Sequence, residues 1–398
     1  MTRTLTILLW VLVVAAGATA QSLTRFNSRC YEVYTDMAQA DARPIAAHMD
    51  IVFQEYVNRF RDFNAKNSQA VRMYLFSTRS AYMDYLSGKG INAANTAGIF
   101  FASAQEAGLA AWVEGQSQTE LLHTLQHEGF HQFAHLRLGD GLPIWVNEGL
   151  AEYFGRAFVA KGRMKLGAAP EESIQALVLS IRNKATWGFD AMLTMSGDEW
   201  IGHVNKGGPR AGLMYDQAWS MCHFLIHAES GKYTPAFAEF IRMTSRGESA
   251  KSAFAKAFKS GDVAPFEAAW KKYMTDTIEP DAVSTAIDRL EFLGAGAEEL
   301  TKAGVAVETI ADLKKELQEG GFRLTRTSEG VKRVWSASDE SLFEAPASGN
   351  KAKAATLELV KSDRPGVPPG FVVKGLSVTV RAKWEVKKGE ARMKVVFE

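Results

Sequence analysis

The spacing of apolar residues predicts a small α/β unit between Tyr31 and Trp112. The runs "CYEVYTD" and "VRMYLF" are short and rich in β-branched and aromatic residues, which is typical of strands. Between them, "IAAHMDIVFQEYVNRFRDF" repeats apolar residues at helical spacing. Two further extended runs, "AGIFFASA" and "GLAAWVE", follow, and we expect "GLAAWVEG" to be an edge strand, where unpaired backbone groups can hold an extended peptide.

From Ser117 to about Thr277 the pattern is mostly helical, with "AGLMYDQAWSMCHFLIHA" and "TPAFAEFIRMTSRG" as clear later helices. After Pro280 a charged helical stretch, ending in "IADLKKELQEGG", gives way to alternating runs with "KKGE" as a hairpin turn. Those runs are "FRLTRTS", "TLELVKS", "LSVTVRAKWEV" and "ARMKVVFE". We therefore predict an α+β protein with a small mixed sheet, a mostly helical lobe and a small antiparallel β-module.

The opening residues have the pattern of a secretory signal. Arg3 precedes an apolar run of about fourteen residues, and Ala18 and Ala20 form an A-x-A cleavage site. The alternative, an uncleaved membrane anchor, is weaker because a spanning helix needs about 20 apolar residues. We expect an exported protein, periplasmic or extracellular, with no stable membrane insertion after cleavage. The predicted limits are 1–20 for the signal peptide, 21–116 for the α/β part, 117–279 for the helical part, and 280–398 for a helical linker and C-terminal β-module.

The charge balance and the cysteines narrow the choice of partners. The chain has 46 basic and 45 acidic residues, so loss of Arg3 with the signal leaves 45 of each. A neutral chain argues against a nucleic-acid partner, which usually requires a basic excess. The two cysteines, Cys30 and Cys222, either form one disulfide in an exported chain or are two small buried residues.

The candidate chemistry lies in "HTLQHEGFHQFAH", residues 123–135, where four histidines stand four apart. Ser117, followed three residues later by Glu120, predicts the start of this helix, and Gly139 predicts its stop. Apolar residues on its other faces indicate a helix buried in a core. Each step of four residues turns the side chain by about 40°, so neighbouring histidines can share one metal ion but the first and last cannot.

The residue after each histidine selects the metal-binding pair. A zinc hydrolase needs a carboxylate there to take a proton from the attacking water, and only His127 is followed by one, Glu128. The pair is therefore His127 and His131, and "HEGFH" is the H-E-x-x-H motif. We expect His123 and His135 to be ordinary polar residues of the helix, with substrate contact by His123 as the alternative.

A third ligand is expected from the next helix, "IWVNEGLAEYFGRAF". Its Glu148 and Glu152 are one turn apart and can both face the histidine helix. We assign Glu148 to the metal, as one zinc ion per chain, and Glu152 to a hydrogen bond with a ligand histidine that raises the basicity of that histidine. The alternative is that both are solvated acids on a helix surface, although they stand among Trp145, Leu150 and Tyr153.

"HEGFH" followed by "PIWVNEGLAEYF" resembles the gluzincin zinc metallopeptidases, and more narrowly the peptidase-MA-like exported bacterial proteins. The similarity covers about residues 30–275 and includes a later Y-x-Q-x-W pattern that begins at Tyr215. The resemblance implies a zincin-like fold, zinc ligation by His127, His131 and Glu148, and Glu128 as general base. It also implies a catalytic role for Tyr215, whose phenol would stabilise the oxyanion. A core tyrosine on an amphipathic helix is the alternative.

The sequence departs from the zinc aminopeptidases of that group. Sixteen residues separate His131 from Glu148, two fewer than in those enzymes, and their G-x-M-E-N segment for the substrate amine is absent. Glu114 is the one weak candidate for an amine anchor. We therefore expect a zinc metallopeptidase acting on peptide or protein substrates, an endopeptidase rather than an aminopeptidase. The alternative function is an inactive peptidase-fold binding or scaffold protein of the cell envelope that acts through its C-terminal β-module, whose partner is unknown.

Overall fold

The computed structural model describes residues 23–63, 71–94, 96–103, 106–328, 331–347, 354–387 and 389–398. The predicted signal segment, residues 1–20, lies outside these ranges. None of the helices within them combines the length and the apolar character that a membrane crossing requires.

The N-terminal part is a mixed five-stranded sheet in the order β1-β2-β3-β5-β4. The strands β2, β3 and β5 are parallel, while β1 and β4 run antiparallel at the two edges. The strands are β1 (Thr24–Asn27), β2 (Tyr31–Thr35), β3 (Val71–Phe76), β4 (Gly98–Ala102) and β5 (Ala107–Trp112). Two helices, α1 (Gln39–Arg59) and α2 (Arg79–Gly88), connect them. The expectation that "GLAAWVEG" is the edge strand is wrong, because β5 pairs with β3 and the antiparallel β4 takes the edge.

Nine helices of the described chain follow, beginning with the predicted histidine helix. They are α3 (Gln118–Arg137), α4 (Ile144–Gly155), α5 (Glu171–Arg182), α6 (Phe189–Thr194), α7 (Gly197–Val204), α8 (Pro209–Gly231), α9 (Thr234–Ser245), α10 (Ala250–Ala257) and α11 (Ala264–Lys272). A short hairpin, β6 (Phe158–Ala160) and β7 (Arg163–Lys165), separates α4 from α5. The capping box of Ser117 and Glu120 starts α3 as predicted, and Gly139, at φ +78°, follows its end.

The C-terminal part has its own hydrophobic cluster, in which α12 packs on a sheet through residues such as Leu290, Phe292 and Phe371. Its helices are α12 (Ala282–Lys302) and α13 (Ile310–Glu319). Its strands are β8 (Arg323–Ser328), β9 (Val331–Ser336), β10 (Thr356–Val360), β11 (Gly370–Lys374), β12 (Val380–Lys387) and β13 (Glu390–Phe397). The antiparallel sheet has the order β10-β11-β12-β13, and β8 and β9 form a separate hairpin.

The α+β fold class is thus confirmed: a mixed five-stranded sheet, thirteen α-helices in the described chain, and a separate small antiparallel sheet at the C-terminus. The domain limits set from the sequence stay predictions. In the described chain β9 and β11 are strands that the sequence pattern did not single out.

Candidate metal centre

The helix α3 is the central element of the site, and its apolar faces hold it in the core. Phe130 and Phe133 pack on the ring of Tyr56 from α1, with centroid distances of 5.8 and 5.4 Å. On the sheet side, β4 crosses α3 at Gly98, where an added Cβ would lie only 2.5 Å from Thr124 Cγ2. The face of α3 that carries the histidines therefore packs against α4.

A buried glutamine joins α3 to α4 next to the first metal ligand. The Gln126 carboxamide nitrogen lies 2.9 Å from each of three carbonyl oxygens at the end of α4, those of Phe154, Gly155 and Ala157. Its oxygen lies 2.7 Å from His48 Nε2 on α1. These contacts place a hydrogen-bond donor among the carbonyls at the end of α4, and they fix the two helices against each other.

The structure brings His127, His131 and Glu148 together, with one ligand atom of each within 4.8 Å of the others. The two Nε2 atoms are 3.0 Å apart, and Glu148 Oε2 lies 3.5 Å from each of them. Tetrahedral zinc with bonds of about 2.0 to 2.1 Å places its ligand atoms about 3.3 to 3.5 Å apart. The three residues therefore fit a small tetrahedral ion with two nitrogen ligands and one oxygen ligand.

The other nitrogen of each ligand histidine faces an acceptor on α4. His127 Nδ1 lies 3.1 Å from Glu152 Oε1, and His131 Nδ1 lies 3.2 Å from Asn147 Oδ1. An ionised carboxylate can only accept a hydrogen bond, so Nδ1 of His127 carries the proton and Nε2 presents its lone pair to the metal position. The contact of Glu152 is the one that the sequence predicted.

Asn147 was missed by the sequence analysis. The local signal was present, since an amide stands directly before Glu148 in the otherwise apolar run "IWVNEG". Its partner, His131, is sixteen residues away on another helix, and only the packing of α4 on α3 brings the two side chains together.

Glu152 is also the centre of a buried polar chain that leads to α8. Arg156 donates to Glu152 Oε2 at 2.9 Å and to Asp216 Oδ1 at 2.8 Å, and His123 Nε2 lies 3.6 Å from Glu152 Oε2. Burial raises the pKa of Glu152, but Arg156, His123 and His127 together outweigh burial and hold this pKa well below its ordinary value. His123 thus contacts the polar chain behind the ligands.

The alternative in which Glu148 and Glu152 are solvated surface acids is wrong. Glu152 is 4% exposed, and the side chain of Glu148 is 13% exposed. Burial raises the pKa of Glu148, but His131 and His127 outweigh it and lower the pKa to about 2. The Glu148 carboxylate in turn raises the pKa of His131 against the opposing effect of burial. The cluster therefore holds an ionised carboxylate against two imidazoles.

Glu128, the predicted general base, lies between α3 and the edge of the sheet. It is 6% exposed, and its Oε2 accepts a hydrogen bond from the backbone N–H of Phe100 on β4 at 2.6 Å. A carboxylate that directly follows the first ligand is thus fixed beside the edge strand, within reach of a molecule bound along that strand.

Tyr215, on α8, contacts the first ligand from the other side. Its ring centroid is 6.4 Å from that of His127, and the ring of Trp200 on α7 packs edge-on against the Tyr215 ring with 5.4 Å between centroids.

The helix α8 approaches α4 closely because Gly149 has no side chain. A Cβ there would lie 2.4 Å from Ala218 O and 2.7 Å from Cys222 Sγ.

Four residues that were considered for function from the sequence lie outside this cluster. His135 pairs with Asp140 at 2.8 Å on the exposed end of α3. Glu114 accepts from the backbone N–H of Arg79 at 3.1 Å, at the start of α2. Cys30 and Cys222 are both free, so the disulfide alternative is not formed.

Comparison with known protein families gives a match for the part of the chain that carries the site. Residues 121–249 match the family described as "Protein of unknown function (DUF1570)". This range includes both histidine ligands, Glu148 and Tyr215. No curated protein matches the chain. The match identifies no peptidase family, so the gluzincin resemblance stays a prediction.

Proposed function

We propose that the protein is a zinc-dependent metallopeptidase that cleaves internal peptide bonds. The observation that carries the proposal is the cluster of His127, His131 and Glu148 with Glu128 fixed beside it at the edge strand. A structural zinc site needs no buried carboxylate next to its first ligand, whereas a hydrolase needs one to move protons.

The donor set supports zinc as the metal. Two imidazole nitrogens and one carboxylate oxygen are typical ligands of catalytic zinc, which keeps a fourth position open. Calcium and magnesium prefer sites built from oxygen atoms alone. Zinc in this position supplies Lewis acidity, which polarises a substrate carbonyl and lowers the pKa of a water molecule.

In this mechanism the residues of the chain transfer protons, stabilise the developing charge and orient the ligands. Glu128 takes the proton from the attacking water and later gives it to the amine of the leaving peptide. Tyr215 donates a hydrogen bond to the oxyanion that develops on the carbonyl, a role that its place beside His127 supports. Glu152 and Asn147 hold the two imidazoles in the tautomer that binds the metal.

The substrate lies along β4 in this proposal, because β4 is the sheet edge next to Glu128. An edge strand offers unpaired backbone groups to an extended peptide. Internal cleavage is favoured because Glu114, the candidate anchor for a free amine, caps α2 instead. The proposal includes export to the periplasm or the medium, based on the signal pattern of residues 1–20.

The test is a comparison of the zinc-loaded protein with its Glu128→Gln variant on peptides blocked at both ends and on the same peptides with a free amine. We expect internal cleavage of both sets by the unmodified protein, read by mass spectrometry. The variant should keep about one zinc and lose about 10²- to 10⁴-fold in rate. Equal rates in the two proteins would rule out the mechanism. A zinc-loaded protein that cleaves neither set would favour the binding or scaffold alternative.

A further inference from the structure

The first turn of the metal-binding helix is in contact with the C-terminal part of the chain. Ser117 Oγ, the N-cap oxygen of α3, donates to Glu291 Oε1 at 3.1 Å and accepts from Arg326 Nη1 at 3.2 Å. The same oxygen accepts the backbone N–H of Glu120 at 3.1 Å, and Arg326 Nε lies 3.6 Å from the Glu120 carboxylate. We name Ser117, Glu120, Glu291 and Arg326 the N-cap cluster.

The N-cap cluster is partly buried, with Glu291 as its most buried member, and its charges match the end of the helix. Glu291 is 4% exposed and the side chain of Arg326 is 13% exposed, and the two form a direct ion pair. A helix N-terminus carries a partial positive charge, which favours nearby carboxylates. Two carboxylates and one guanidinium leave a net negative charge there. The Ser117 hydroxyl uses one donor and two acceptor positions, which is its full capacity.

Two further contacts fix the C-terminal part on the body of the protein. Arg289, also on α12, pairs with Glu171 at the start of α5 at 3.3 Å. Phe397 of β13 stacks on Phe158 just after α4, with 4.9 Å between centroids. The strand β13 also lies against α3. The C-terminal part is therefore packed on α3 and on the segments that follow α4.

We propose that the C-terminal part positions the metal-binding helix through the N-cap cluster, with Arg326 as the positioning residue. This inference rests on the proposed metal site and adds to it a role for the C-terminal part. Arg326 and Ser117 each contact all three other members, and Arg326 is the one of the two that belongs to the C-terminal part.

The helix α3 connects the N-cap cluster to the histidines, so the position of its first turn affects the position of His127. Ser117 and His127 are ten residues apart on one continuous helix, which is about 15 Å. The His127 ring must meet Glu148 on a different helix, so a shift or fraying of the start of α3 changes the distance between ligands on α3 and α4. Loss of the N-cap contacts should therefore weaken metal binding without removing any ligand.

The experiment measures Zn²⁺ affinity by chelator competition, and the visible absorption spectrum after loading with Co²⁺, in the full chain. Arg326→Met is compared with Arg289→Met, which breaks an ion pair of the same kind between α12 and α5. We expect Zn²⁺ affinity to fall about three- to tenfold in Arg326→Met, less than for loss of a direct partner of a ligand. The Co²⁺ spectrum should change in the same variant. Arg289→Met should match the unmodified protein in both, and Arg326→Lys should recover part of the affinity.

A second pair of variants covers the case in which Arg326→Met fails to fold. Ser117→Ala removes the shared hydroxyl but leaves the ion pair, and Thr309→Ala removes the equivalent capping hydroxyl of α13. The affinity should fall for Ser117→Ala alone. Equal affinity and equal Co²⁺ spectra in the Arg326 and Arg289 variants would overturn the inference while leaving the proposed function intact. Absence of metal from the unmodified protein would overturn both.

Discussion

Asn147 and Glu152 determine how the two ligand histidines present themselves. Asn147 Oδ1 lies 3.2 Å from His131 Nδ1 and Glu152 Oε1 lies 3.1 Å from His127 Nδ1, so each ring has an acceptor beside Nδ1 and its Nε2 faces the metal position. Glu152 is itself held by Arg156, which extends the polar chain to Asp216 on α8. The orientation of the ligands thus depends on residues that do not touch the metal.

Asn147→Ala should lower zinc affinity about tenfold, because His131 loses the acceptor that fixes its ring. The affinity is measured by competition with a chromophoric chelator. Asn58→Ala is the control, since Asn58 is an exposed asparagine of α1 that contacts only Gln54 among the contacts described. Equal affinities in the two variants would show that Asn147 does not orient His131.

The sequence predicted that His127, His131 and Glu148 lie together in a group that could hold a metal ion, because their spacing on two helices is a local property. It missed Asn147, Gln126 and the N–H of Phe100. Each of these makes its contact with an element far away in the chain, and that contact depends on how helices and strands cross rather than on any local pattern.

His223, on α8, is a buried histidine away from the metal cluster. Its Nε2 donates to the Gly167 carbonyl at 3.3 Å, and its Nδ1 accepts from the Tyr273 hydroxyl at 3.0 Å, which suits a neutral ring. Burial, followed by the neighbouring His227, lowers the pKa of His223 to about 3. The titratable and charged groups around it are Tyr153, Arg156, His227 and Tyr273.

The contribution of His223 to the free energy of unfolding should therefore decrease as the pH is lowered. Below pH 6.5 the unfolded chain takes up a proton at His223 that the folded chain refuses, so this stability is complete above the unfolded pKa and is lost toward pH 3. The loss is about 2 kcal/mol between pH 7 and pH 5. We expect the difference in unfolding free energy between the unmodified protein and His223→Gln to shrink by about that amount, measured in urea with a chelator present. Parallel pH curves would contradict this.

The close crossing of α4 and α8 depends on one glycine. Gly149 stands beside the ligand Glu148, and any side chain there would meet the backbone oxygen of Ala218 at 2.4 Å. This explains the glycine of "NEG" as a packing requirement, which the sequence did not reveal because α8 begins more than fifty residues later.

Gly149→Ala should reduce the free energy of unfolding by about 1 to 3 kcal/mol and weaken zinc binding, because α4 must shift and carry Glu148 with it. Denaturant unfolding of the metal-free protein and chelator competition measure the two effects. In the control, Gly202→Ala on α7, nothing lies within 4 Å of the new Cβ. That change should be neutral or stabilise by up to about 1 kcal/mol. Two variants of equal stability would refute the packing argument.

The sequence predicted the two strands before the histidine helix but not their order in the sheet. Both "AGIFFASA" and "GLAAWVE" are strands, as their residues predicted. Their order in the sheet is set by pairing, since β5 continues the parallel set next to β3 and β4 folds back outside it. The last strand before the histidine helix is therefore interior, and the edge of the sheet belongs to the strand before it.

At the scale of the whole molecule, the change of pattern at Pro280 correctly indicated a small antiparallel sheet beyond it. That part has its own hydrophobic core, and it also packs on α3. The contacts of Ser117 with Glu291 and Arg326 join residues 174 and 209 positions apart. No local spacing encodes such pairs, and a buried arginine on a short strand resembles an exposed one in sequence.

The central claim, a zinc site built from α3 and α4, is tested most directly by the metal content of the purified protein. Elemental analysis is run on the unmodified protein, on His127→Ala, and on His135→Ala, which removes a histidine of the same helix outside the cluster. We expect about one zinc per chain in the unmodified protein and in His135→Ala, and little in His127→Ala. No zinc in the unmodified protein after incubation with the metal, or equal zinc in all three, would contradict the claim.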